Sequence, residues 1–131
     1  MKILAIDPGE TCGVAIFKDD KLIEATELSE KELLIHIEID KPDVIIVEAY
    51  LHFPWVKDYA VHEYPTAELI GKIKLLAEQL NLRITTQPVG LVKSVITKRV
   101  LRHFDIKPYK SKHINDAIKH GLYYLKYRKK K

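Results

Sequence analysis

The feature that most constrains this chain is an apolar run that stops on an acid. Lys2 to Asp7 reads KILAID and is broken at once by Pro8 and Gly9. A short apolar run bounded by Pro and Gly is a buried strand followed by a tight turn, so Asp7 sits where the strand leaves the core. A second such run, Asp43 to Glu48 (DVIIVE), follows Pro42 and again ends on an acid. It is apolar almost throughout and fits a central strand covered on both faces and parallel to the first. Two adjacent parallel strands deliver Asp7 and Glu48 to the same sheet edge. An unpaired buried carboxylate is costly. Taken alone, Asp7 is either a cap on its own turn or a metal ligand, and the choice depends on which other acids reach that edge.

Around these two runs the pattern predicts a mixed α/β fold. Cys12 to Lys18 and Lys21 to Thr26 read as strands joined through Asp19-Asp20, which makes an antiparallel 1-2-3 meander with the first strand. Ser29 and Glu32 have capping-box spacing, and Leu33, Leu34, Ile37 and Ile39 mark the buried side of a helix that Pro42 stops. After Glu48 an irregular segment carries Tyr50, His52, Phe53, Trp55, Tyr59 and Tyr64. These aromatics, interleaved with Lys57 and His62, either stack on exposed bases or pack as core or subunit interface. Thr66 to Leu80 has helical periodicity, and Gly71 within it is expected to let another element approach closely. Leu82 to Thr86 is a fifth strand, Pro88 to Gly90 a loop, and Leu91 to Phe104 one basic amphipathic helix carrying Lys93, Lys98, Arg99, Arg102 and His103. In a basic domain such a helix is the natural phosphate contact. A last helix, capped by Ser111 and running from His113 to about Tyr127, buries Ile114, Ala117, Ile118, Leu122 and Leu125. His113, Asp116 and His120 fall at i, i+3 and i+7 and share one face.

With 131 residues the chain has the length of one domain, 1–131, ending in a basic tail at about 126–131. Lys and Arg outnumber Asp and Glu by 22 to 18, a balance that favours a polyanionic partner. The one cysteine, Cys12, excludes an internal disulfide and a zinc cluster built on thiolates. No apolar run approaches the roughly 18–20 residues a membrane helix needs, and no signal peptide precedes the first strand, so an intracellular protein without membrane partners is expected.

The acids then define a chemistry. Asp7, Glu48 and Asp116 come from two strand ends and the terminal helix, with His113 one turn before the last acid. Three carboxylates converging without an intervening Arg or Lys repel one another, and a divalent metal relieves this. Oxygen ligands with one imidazole suit Mg2+ or Mn2+ better than zinc. Two such ions roughly 4 Å apart activate a water and stabilise the leaving oxygen of a phosphodiester.

The order IDPG…GVA, an apolar strand ending in Glu48, P-x-x-x-VK at Pro88 to Lys93 and H-x-x-DA at His113 to Ala117 resembles RuvC-like Holliday junction resolvases of the ribonuclease H-like superfamily. The similarity spans nearly the whole chain and is nearest to the short forms of phages and archaeal viruses. The resemblance implies a ribonuclease H-like fold and a homodimer that cuts opposed strands of a four-way DNA junction with Mg2+. Asp7 matches the acid that bridges both ions, Glu48 the second acid, Asp116 the helix acid and His113 the fourth ligand. Lys93 and Lys98 match basic positions on the DNA backbone near the cut. Tyr50 or Phe53 matches the segment inserted at the junction centre, and the helix from Thr66 to Leu80 the dimer interface. One departure concerns recognition: Ser94 to Thr97 runs straight into Lys98, where bacterial members carry a Thr-Gly-rich loop. The other readings are a branched-DNA-binding protein without catalysis and a pre-ribosomal-RNA nuclease of the same fold. Pro8 argues against the latter, whose first motif usually has Tyr there. An actin-like ATPase needs two such domains, and 131 residues supply one.

Overall fold

A computed structural model describes residues 1–49 and 65–128. The aromatic segment from Tyr50 to Tyr64, including Tyr50 and Phe53, lies outside the described residues, as does the end of the basic tail.

The sheet has five strands in the order β3-β2-β1-β4-β5. They are β1 (Lys2–Asp7), β2 (Cys12–Lys18), β3 (Lys21–Leu28), β4 (Val44–Glu48) and β5 (Arg83–Gln87). The first three form the antiparallel meander, and β4 and β5 run parallel to β1. The register that pairs Ile6 with Val47 sets Asp7 beside Glu48 at the carboxyl edge. Asp7 also faces Gly13 on β2, and Glu48 faces Gln87 on β5.

Alternation along the strands splits the core into two layers. Leu4, Ile6, Val14, Ile16, Ile45 and Val47 pack against α1 (Glu30–Asp40) and α2 (Pro65–Gln79). Ile3, Ala5, Ala15, Phe17, Val44 and Ile46 pack against α3 (Val89–Val95), α4 (Lys98–His103) and α5 (Lys112–Tyr123). Each large aliphatic side chain fully buried in this way contributes about 1.5–3 kcal/mol before entropy is charged. Because both faces of β1 and β4 are covered, their carboxyl ends are the places where polar groups emerge beside a rigid core.

Several local expectations are met and others corrected. The Ser29–Glu32 capping box is formed, and Lys41 ends α1 in the left-handed region just before Pro42. Ile39, expected on the buried side, is 78% exposed, because two residues beyond Ile37 is the opposite face of a helix. Among the described residues nothing comes within 4 Å of a Cβ built on Gly71. The basic helix from Leu91 to Phe104 is two helices, α3 and α4. The β-branched run Val95-Ile96-Thr97 breaks it: Ile96 turns into the core, and the Thr97 hydroxyl accepts from Val100 N–H to start α4 afresh. Pro88 caps α3 instead of leading a loop, so Gly90 lies inside that helix. The last helix passes from α5 into a π-helical turn, Tyr124–Arg128.

Candidate active site

Three of the predicted site residues are brought to one edge by the pairing of β1 with β4 and by the close approach of α5. Ser111 caps α5 by accepting from Ile114 N–H at 3.2 Å. The first turn of α5 then lies directly on β2, so close that a Cβ on Gly13 would sit 2.0 Å from the His113 carbonyl oxygen. Only glycine at that position lets the helix start beside Asp7. His113 Nδ1 consequently lies 2.9 Å from Asp7 Oδ2.

Asp7 is 3% exposed. Burial, and then a hydrogen bond with the Glu48 carboxyl, push its pKa up to about 7, against the opposing pull of His113. Glu48 is held well below the usual carboxylate range: burial raises it, but hydrogen bonds from His120 and Asp7 and the positive charge of Lys93 prevail. Burial and the neighbouring carboxyl thus make Asp7 harder to ionise than an ordinary carboxylic acid, while its donors keep Glu48 easier to ionise.

His120, one residue of the His113/Asp116/His120 face, reaches the same group from the core side. Its Nε2 lies 3.4 Å from Glu48 Oε1 and its Nδ1 3.0 Å from Gln87 Oε1. Neither His120 nor Gln87 stood among the candidate site residues. The shared helix face hinted at His120; Gln87 carried no sequence signal, because its place depends on its pairing with Glu48 across β4 and β5.

Asp116 is buried on α5, and its Oδ2 lies 3.7 Å from Lys93 Nζ. A cation does intervene among the acids, contrary to the expectation of three carboxylates without one. The cause is the short path from β5 into α3, which carries Lys93 in its last turn beside the carboxyl edge. Among the described residues no group of three His, Cys, Asp or Glu side chains is arranged to hold a metal ion unaided. Lys98, Arg99 and Arg102 are exposed on α4, and Arg99 borders a shallow groove with His103, Phe104, Lys126 and Tyr127. A larger cavity of about 680 Å³, lined by Phe17, Leu22, Phe104 and Tyr109 among others, includes none of Asp7, Glu48 and Asp116.

A five-stranded mixed sheet with acids at the carboxyl ends of its first and fourth strands and a terminal helix crossing beside them defines the ribonuclease H-like, RuvC-type fold. Solved structures of that fold match nearly the full length. The chain is similar to Thermus thermophilus RuvC in complex with a Holliday junction substrate, with a TM-score of 0.77, 16% identity and coverage of 99% of this chain and 96% of that one. It is also similar to the fowlpox virus Holliday junction resolvase, with a TM-score of 0.67, 20% identity and coverage of 95% and 98%. The yeast mitochondrial Holliday junction resolvase Ydc2 matches with a TM-score of 0.54, 15% identity and coverage of 92% and 74%. No protein-family model matches the sequence, and no curated protein matches it.

Proposed function

We propose that this chain is a divalent-metal-dependent, structure-selective endonuclease that resolves four-way DNA junctions, acting as a homodimer of single-domain subunits. The observation that carries this reading is the convergence of acids at the carboxyl edge of a RuvC-type sheet: the β1–β4 register sets Asp7 beside Glu48, and α5 brings His113 to 2.9 Å from Asp7 with Asp116 buried one turn further on. Carboxylates gathered this closely repel one another, and a hard divalent cation with oxygen ligands relieves that repulsion. Asp7, Glu48, His113 and Asp116 would hold Mg2+, with Mn2+ as a substitute. Bound there, one or two such ions would lower the pKa of a water for attack on a phosphodiester and stabilise the leaving oxygen.

The chain's own groups do the rest. His113 orients Asp7 through the 2.9 Å contact. Lys93, partly exposed and 3.7 Å from Asp116, can trade that carboxylate for a DNA phosphate. Lys98, Arg99 and Arg102 on α4 extend the cationic surface along which a duplex arm would run. The proposed wedge at the junction centre is Tyr50 or Phe53, and the proposed dimer helix is α2. Only Ile96 and Thr97 separate α3 from α4, which leaves little room for a base-reading loop. Recognition is therefore assigned to junction shape more than to sequence.

A second reading, a junction-binding protein without catalysis, is favoured by one observation: Lys93 already partners Asp116. The test that separates the two is cleavage of an end-labelled mobile four-way junction beside a linear duplex of the same sequence, with Mg2+ and with chelator. Paired symmetric nicks in the junction alone are expected. A junction that is shifted on a gel but never cut would establish the binder, and equal cutting of duplex or RNA would reassign the substrate.

A further inference from the structure

One buried titratable side chain has no part in the ligand set above. His120 is 1% exposed, yet both of its ring nitrogens have polar partners. An imidazole in an apolar interior is tolerated only when hydrogen-bonded, and here the two partners are Gln87, fully buried at the end of β5, and Glu48 opposite it. The position follows from the helix: α5 presents His113 to Asp7 and, seven residues later, His120 to Glu48.

The hydrogen positions are constrained by the amide. Among the described residues, Gln87 Nε2 is buried without a partner. Turning the amide by half a turn lets that N–H2 donate to His120 Nδ1, and the neutral ring then carries its hydrogen on Nε2, aimed at Glu48. With the amide unturned, Nδ1–H donates to Gln87 Oε1, and Nε2 approaches the carboxylate favourably only if it too bears a hydrogen. In either arrangement Nε2 is the donor to Glu48 Oε1, and only the turned amide also gives Gln87 Nε2 a partner.

We propose that His120, held by Gln87, is a positioning residue that fixes the plane of the Glu48 carboxylate for a divalent cation and biases it toward Mg2+. The inference rests on the nuclease reading. A carboxylate pinned through one oxygen presents the other along a fixed direction, which suits the compact octahedral shell of Mg2+. Ca2+ accepts bidentate carboxylates and irregular shells, and loses less when the pin is removed.

The test is a metal titration followed by thermal shift, a readout independent of catalysis, on wild type, His120→Leu, His120→Gln and Gln87→Met. Mg2+-dependent junction cleavage and junction binding in chelator are measured alongside. His120→Leu is expected to need about 10–100-fold more Mg2+ for the same stabilisation and cleavage. Its Ca2+ requirement should change much less, and its junction binding in chelator should not change. His120→Gln, which keeps an N–H donor toward Glu48, should recover most of the Mg2+ response. If His120→Leu does not fold, Gln87→Met decides, with a smaller shift in the same direction expected. A folded His120→Leu with the wild-type Mg2+ midpoint, or equal losses for Mg2+ and Ca2+, overturns the inference alone. A wild-type protein that neither responds to metal nor cuts junctions overturns the nuclease reading and this inference with it.

Discussion

His113 Nδ1 and Asp7 Oδ2 lie 2.9 Å apart although 106 residues separate them. This contact ties the first turn of α5 to the end of β1 and brings the last quarter of the chain to the acids of the first half. If this edge holds the catalytic cation, each ligand is necessary and none touches phosphate directly. Asp7→Asn, Glu48→Gln and Asp116→Asn are each expected to lower junction cleavage by at least ~100-fold, more than the loss of an outer partner costs, while junction binding in chelator is kept. A variant that retains most of its cleavage removes that residue from the site.

The raised pKa of Asp7 makes metal-free stability depend on pH. Between its ordinary value of 3.8 and about 7, the folded chain holds a proton that the unfolded chain has released. Stability therefore falls as pH rises through that window. The lowered pKa of Glu48 acts in the opposite direction, but its stabilisation is fully present above 4.5. From pH 5 to 7.5 the Asp7 contribution is expected to fall by up to ~1.4 kcal/mol per pH unit. Thermal melts in chelator should show a falling Tm for wild type and a flatter profile for Asp7→Asn, with Mg2+ restoring the wild-type Tm at the alkaline end. An identical slope in the two proteins would place the titrating group elsewhere.

Lys93 has two possible partners at the same edge. Lys93→Ala is expected to weaken junction binding and to reduce the slope of log affinity against log salt by about one. If the affinity and the slope stay at wild-type values, Lys93 serves only as the counter-ion of Asp116, from which it lies 3.7 Å away.

Gly13 and Gly71 are expected to respond oppositely to the same substitution. A Cβ at position 13 would lie 2.0 Å from the His113 carbonyl oxygen and 2.7 Å from Ile114 N, both backbone atoms that cannot move without shifting α5. Gly13→Ala should destabilise by ~3 kcal/mol, at the upper end of ordinary overpacking, and displace His113 from Asp7. Gly71→Ala, which meets nothing within 4 Å among the described residues, should stabilise by up to about 1 kcal/mol through helix propensity. Denaturant midpoints measure both, and a neutral Gly13→Ala would contradict the close packing of α5 on β2.

Much of this arrangement is legible in the sequence. The apolar runs ending in Asp7 and Glu48 are strand signals of period and punctuation, and local physics alone places an acid at the end of each. Capping by Ser29 and Ser111 and the buried stripe of α5 are equally local, because they depend on residues three or four apart. Tertiary structure decided what depends on distant partners. The break between α3 and α4 was settled by where Ile96 could be buried, and the place of Lys93 by the short path from β5. The Gln87–His120–Glu48 chain exists because strand register sets Gln87 beside Glu48 while α5 lowers His120 onto both. The sequence determined which groups emerge from the core. Packing of the helices on the sheet decided which of them meet, because a contact between residues far apart in the chain is fixed by register and close approach and leaves no periodic trace.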